Sequence, residues 1–214
     1  MKYIGLELTQ DDEMFCINSD MTALGMSFDM MWGKSVLDIG CGNGSLLLYA
    51  YAKKAKTFYG VDLFEEAIEL AKENLSRVTD DYHLYTGRVQ DLVIEPVDVI
   101  VSNPPFFEMN NVTPNDKYRK AMFEESLPLE DLFRAYRRLL RDNGEIYMIY
   151  PADRFPELYQ KCLDHKLKIM KMRFLHDRNS DYALRVILKL KIGKMTKLRI
   201  LRPFVLKDGE LEEL

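Results

Sequence analysis

The chain has 214 residues, 47% of them apolar, and a formal net charge of −4; that is enough for one α/β domain with a sizeable core and too little for two. No basic-then-apolar leader opens it, and its longest apolar run, Leu46–Ala52, is far too short to span a bilayer. Cys16, Cys41 and Cys162 are odd in number and scattered, with no Cys-x-x-Cys, so neither a disulfide framework nor a metal site is expected. These features describe a soluble, cytoplasmic protein, expected to be a monomer with no membrane partner.

The first apolar run, at 35–40, ends in Asp38-Ile39-Gly40-Cys41-Gly42-Asn43-Gly44 and passes into a helical pattern over 44–54. Strand, glycine loop and helix in that order are the opening of a Rossmann-like unit, where glycines permit a tight turn and close approach of backbone to a ligand. The nicotinamide fingerprint wants its third glycine three residues after the second, but that position is Ser45 and the glycine falls at 44. An acid followed by Gly-x-Gly-x-Gly resembles an S-adenosylmethionine loop instead, with Cys41 as a small neutral residue at its variable position. A second run at 57–62 ends in Asp62-Leu63, where a carboxylate can accept from two ribose hydroxyls. The helical pattern at 64–77 follows, with Phe64, Ala67, Ile68, Ala71 and Leu75 on one face. A third run at 83–86 precedes Asp91-Leu92, where an acid can take the exocyclic amine of an adenine. Each Asp taken singly is more often a turn residue or helix cap; three acids after three successive strands are not explained that way.

The fourth run, 97–102, leads directly into Asn103-Pro104-Pro105-Phe106. Asn103 offers a side-chain carbonyl acceptor. Pro104 forces its predecessor into an extended conformation and lacks an N–H, so nearby carbonyls can turn to a ligand. Phe106 can stack on a planar group held there. The bland alternative, a strand end with a proline turn, loses ground because the glycine loop lies about sixty residues upstream. A long connection at 107–127 carries Lys117, Arg119 and Lys120 and has the length of a functional loop or lid. A helix at 128–141, a strand at Gly144–Tyr150 after Asp142-Asn143-Gly144, a helix from Asp153 to His165, and a hairpin of runs 167–175 and 183–191 complete the pattern. Alternating strands and helices predict a doubly wound, mostly parallel seven-stranded sheet with an antiparallel terminal strand.

Charge is divided along the chain. Residues 1–160 carry 16 Lys+Arg against 27 Asp+Glu, a balance of −11, whereas residues 161–214 carry 14 against 7, a balance of +7. Lys189, Lys191, Lys194, Lys197, Arg199 and Arg202 lie close together in that basic quarter. A phosphate-contacting surface and a solvated strand face both fit.

The glycine loop with its three acids and the Asn-Pro-Pro-Phe tetrapeptide together resemble the class I S-adenosylmethionine-dependent methyltransferases. The tetrapeptide resembles the branch that methylates amino or amide nitrogens, and within it the bacterial tRNA adenine-37 N6-methyltransferases of the tRNA1(Val) type. Phe15–Gly25, Arg173–His176 and Leu198–Glu210 carry further likeness to that family, so the resemblance spans nearly the whole chain. It implies one methyltransferase domain over 1–214: a cofactor-covering segment at 1–33, a Rossmann-like core at 34–192 and a basic C-terminal strand and tail at 193–214. It implies cofactor contacts at Asp38, Gly40, Cys41, Gly42, Gly44, Asp62, Leu63, Asp91, Leu92 and Asn103, catalysis at Asn103, Pro104, Pro105 and Phe106, and an RNA partner, tRNA above all. RNA contacts are then expected at Lys117, Arg119, Lys120, Lys194, Lys197, Arg199 and Arg202. An rRNA adenine N6- or guanine N2-methyltransferase, a protein glutamine N5-methyltransferase and a non-catalytic cofactor- or RNA-binding module remain alternatives.

Overall fold

The computed structural model describes residues 1, 4–10, 17–106, 127–193 and 197–213. Its parallel strands are β1 (Ser35–Ile39), β2 (Thr57–Asp62), β3 (Tyr82–Thr86), β4 (Val97–Ser102) and β5 (Leu140–Pro151). They are paired in the order β3-β2-β1-β4-β5. Beyond β5 lies β7 (Ala183–Ile192), antiparallel to β5 on one side and to β6 (Leu167–Asp177) on the other. The expected antiparallel strand is therefore present, inserted between β5 and β6.

Among the described residues the sheet has ten strands, three more than expected, because the tail adds to the free edge of β6. β8 (Arg199–Ile200) and β9 (Phe204–Lys207) pair with β6 in parallel, and β10 (Glu210–Glu213) folds back on β9. Phe204 supplies the reason: it is buried, and the Arg173 guanidinium lies 4.1 Å from its ring centroid.

Side chains alternate across the pleat, so β1 serves two cores. Leu37 and Ile39 pack with α4 (Leu129–Leu139) and α5 (Phe155–Asp164); Val36 packs with α1 (Ser19–Met26) and α2 (Ser45–Ala52). β4 is buried on both faces, as its nearly unbroken apolar run requires of a central parallel strand. The fifth strand starts earlier than the turn Asp142-Asn143-Gly144 suggests: Leu140 already pairs with Val97, and the turn is a bulge within the strand. Gly144 permits it, since a Cβ there would fall 2.5 Å from Leu140 Cγ. A 3₁₀ turn at Ala152–Arg154 precedes α5, whose first turn contains Pro156, where a missing N–H costs nothing. Among the described residues no helix is long and apolar enough to cross a membrane.

Candidate active site

Because β1 to β4 run parallel, their carboxyl ends share one edge. Ile39 stands beside Val61 and Ser102, and Asp62 beside Thr86. Gly40, Leu63, Gly87 and Asn103 therefore leave the sheet along the same rim. The strand order reverses between β1 and β4, and a crevice for a ligand opens at such a reversal.

The glycine loop is held from three sides. Gly40, Gly42 and Gly44 have φ of 76°, 49° and 79°, a left-handed backbone that glycine adopts without a Cβ penalty. Gly40 and Cys41 N–H groups both donate to the Val61 carbonyl, at 2.9 and 3.1 Å. The Asp62 carboxylate accepts from Gly42 N–H at 2.9 Å and from Phe64 N–H at 3.2 Å. Burial raises its pKa, and the amides of Gly42, Phe64 and Leu63 oppose that rise. From α3 (Glu65–Ser76) the buried Asn74 donates to the carbonyls of Asn43 at 2.9 Å and Thr9 at 2.7 Å, and accepts from Thr9 N–H at 2.7 Å. Cys41 is buried with its Sγ against Gly60, where a Cβ would sit 2.9 Å from that sulfur and 2.7 Å from Leu84 Cδ2. Asn74 and Gly60 were not marked by any motif; an Asn among the alanines of an apolar helix stripe is the one signal that could have found the first.

Two acceptors at this rim are buried without hydrogen-bond partners among the described residues. Asp38 is 1% exposed with neither carboxylate oxygen engaged. Burial, and then the charge of Asp62, hold its carboxyl well above the ordinary carboxylate range. The second is Oδ1 of Asn103, at the end of β4. Phe106 lies between two side chains: the Arg185 guanidinium is 4.6 Å from its ring centroid, and Tyr150 meets it edge-on at 6.2 Å.

The remaining expected residues occupy varied settings. Asp91 is exposed on a turn closed by its N–H to the Arg88 carbonyl, while Leu92 is buried in the core with α4, its carbonyl bonded by Arg138. Leu63 is 42% exposed on the rim. Lys117, Arg119, Lys120 and Lys194 lie outside the described residues. Lys197, Arg199 and Arg202 are exposed, but Arg199 pairs with Lys171 of β6. A strand rise near 3.3 Å per residue puts it about 20 Å along the strand from the rim end at Asp177. The basic quarter is also less basic in space than in sequence, because acids of the preceding segments neutralise it. Lys189 reaches Asp29 and Glu145, Lys171 reaches Asp29, Lys161 reaches Glu130 and Arg185 reaches Asp20. Lys189 therefore belongs to an internal ion network rather than to a phosphate-facing surface.

A sheet ordered β3-β2-β1-β4-β5-β7-β6, with only β7 reversed and a Gly-x-Gly-x-Gly turn at the switch point, defines the class I S-adenosylmethionine-dependent methyltransferases. A methyltransferase-domain family matches residues 32–196, and the chain belongs to it. The Dyadobacter fermentans protein named tRNA1(Val) (adenine(37)-N6)-methyltransferase is 30% identical over 207 residues, covering 94% of this chain and 86% of its own. The Trichodesmium erythraeum protein of the same name is 32% identical over 164 residues, covering 72% of this chain and 68% of its own. Among solved structures, the ribosomal protein L11 methylase of Lactobacillus delbrueckii superposes with a TM-score of 0.65 at 20% identity, over 86% of this chain and 84% of that one, a likeness of fold.

Proposed function

We propose that this methyltransferase acts on the exocyclic N6 of an unpaired adenine in RNA, specifically a tRNA adenine next to the anticodon. The observation that carries the reading is Asn103 Oδ1: a buried amide oxygen at the switch-point rim, without a protein donor among the described residues. An orphaned buried acceptor costs about 1–3 kcal/mol, and an amino group entering the crevice would recover it.

The residues fit the cofactor. S-adenosylmethionine supplies a methyl group made electrophilic by its sulfonium. The Asp38 carboxylate, unpartnered among the described residues, suits an ammonium, and Asp62 keeps acceptor capacity beyond its two amide bonds for ribose hydroxyls. The positive φ values from Gly40 to Gly44 keep side chains out of the loop's path.

On the acceptor side, adenine N6 is a poor nucleophile because its lone pair is delocalised into the ring. Asn103 Oδ1 and the Pro104 carbonyl accept its two N–H bonds, favour a pyramidal nitrogen and aim the lone pair; Phe106 stacks on the base. Proximity and orientation supply most of the acceleration. The nitrogen would gain the methyl group as the methyl–sulfur bond breaks to leave a neutral thioether, and would release one proton to solvent, acidic once the nitrogen is alkylated, so no strong base is needed. The base must leave its stack at a cost of a few kcal/mol, least in a single-stranded loop. Exposed Lys197, Arg199 and Arg202 are suited to phosphates away from the crevice. The names carried by the Dyadobacter and Trichodesmium relatives support RNA as acceptor over a glutamine amide.

Asn103→Ala tests the reading. Its methyl transfer to tRNA should fall by about 10²–10³-fold, the scale of losing one positioned polar group, with cofactor affinity unchanged. Wild-type turnover would remove Asn103 from the chemistry.

A further inference from the structure

Helix α1 touches both halves of the crevice through adjacent residues. Asn18 caps it by accepting from Met21 N–H at 2.9 Å, and Leu24 and Gly25 seat it on α2, where a Cβ on Gly25 would fall 2.3 Å from the Tyr49 ring. On the cofactor side, the Met21 sulfur accepts from the Ser45 hydroxyl at 3.6 Å, just past the glycine loop. On the acceptor side, Asp20 Oδ2 accepts from Arg185 Nε at 2.8 Å. This ion pair is shielded, with side-chain exposures of 13% for Asp20 and 24% for Arg185, and Arg185 Nη1 also donates to the Leu184 carbonyl at 3.0 Å. Anchored at both ends of its fork, the guanidinium lies over the Phe106 ring at 4.6 Å. A planar ring has two faces. One face is covered by a fixed guanidinium, and no base can stack there.

We propose that Arg185 is a positioning residue for the acceptor base: locked by Asp20, it sets the plane of the Phe106 ring and ties that plane to α1, the helix that also contacts the start of α2. The proposal rests on the reading that Phe106 is the stacking platform. Arg is suited to the task because its planar fork can accept an anchor and stack at once, whereas the Lys ammonium is a point charge. Asp20 and Arg185 have a second consequence. α1 must be docked before the ring is fixed, so any disturbance of α1 should reach base stacking without direct contact to the base.

The test uses the intact chain and an anticodon stem-loop RNA carrying 2-aminopurine at the target adenine. Arg185→Gln should lower methyl transfer to the unmodified stem-loop by about 5- to 30-fold, the span of a partly buried cation–π contact. It should also reduce the fluorescence change on 2-aminopurine binding and leave cofactor affinity by calorimetry within about twofold. Asp20→Asn should act in the same direction, and Arg185→Lys should recover part of the loss. In a Phe106→Leu background, Arg185→Gln should have no additional effect. Equal losses in both backgrounds, with an unaltered 2-aminopurine response, would mean a merely structural salt bridge and overturn the proposal. So would full activity in Arg185→Gln while Asn103→Ala is inactive. Full activity in Asn103→Ala would instead sink the underlying reading, and this one with it. If Arg185→Gln does not fold, Asp20→Asn and Arg185→Lys in the two backgrounds carry the same comparison.

Discussion

Asp38→Asn should stabilise the cofactor-free protein while impairing its site. The wild-type carboxyl is buried, without a hydrogen-bond partner among the described residues and next to Asp62, and its pKa is raised in the folded state. The folded protein therefore holds this proton at a pH where the unfolded chain has released it, and stability falls as pH rises above the ordinary value of 3.8. The ceiling at pH 7 is about 4 kcal/mol, from about 1.36 kcal/mol per pH unit over roughly three units. Asn does not titrate, but it buries an amide that costs about 1–3 kcal/mol if unpaired. The variant should thus gain stability at pH 7, by at most about 1–3 kcal/mol, and show no gain, or a loss, near pH 4. Urea denaturation from about pH 4 to 8 without cofactor measures it. Cofactor affinity should move the other way, by about 10-fold or more, the worth of a hydrogen bond to a charged group. A stability difference that does not change with pH would refute the argument that burial raises this carboxyl.

Gly60→Ala forces a Cβ to within 2.7 Å of Leu84 Cδ2 and 2.9 Å of Cys41 Sγ; it should cost about 1–3 kcal/mol of stability in the same denaturation assay. Burial pushes Asp29 up, but the bonds from Lys171 and Lys189 outweigh it and hold its pKa at about 2. Its contribution to stability is complete above the ordinary 3.8 and lost as pH falls to about 2, so Asp29→Asn should flatten thermal stability across that window. Neutralising Lys197, Arg199 and Arg202 together should reduce the salt dependence of tRNA binding by roughly 0.7–0.9 slope units per lost phosphate contact; an unchanged slope in gel-shift titrations would take the tail out of the RNA site.

The legible part of the fold was the part with a period. Alternating apolar runs and helical stripes placed β1 to β7 and the helices between them to within a few residues, because one-sided burial imposes that pattern on the sequence. The tail was harder: its closing strand and turn were legible only through the family likeness of Leu198–Glu210, and β8 and β10 are short strands whose pairing with β6 and β9 no apolar period marks. At the site, the loop glycines and Asn103 were visible because glycine spacing and Asn-Pro-Pro-Phe are local. Asn74 and the Asp20–Arg185 pair were not, since they join positions far apart in sequence. The division of charge misled for the same reason: Lys189 and Lys171 answer Asp29, which lies in the acidic stretch of the chain.

The central claim is methyl transfer to adenine N6 in tRNA, and isotope-labelled S-adenosylmethionine tests it most directly. Unmodified tRNA incubated with the protein and the labelled cofactor is digested to nucleosides and analysed by mass spectrometry, with oligonucleotide mapping of the label. The account predicts labelled N6-methyladenosine at the adenine next to the anticodon, formed about 10²–10³-fold more slowly with Asn103→Ala. Label found in another nucleoside, or in a protein glutamine and no RNA, would contradict it.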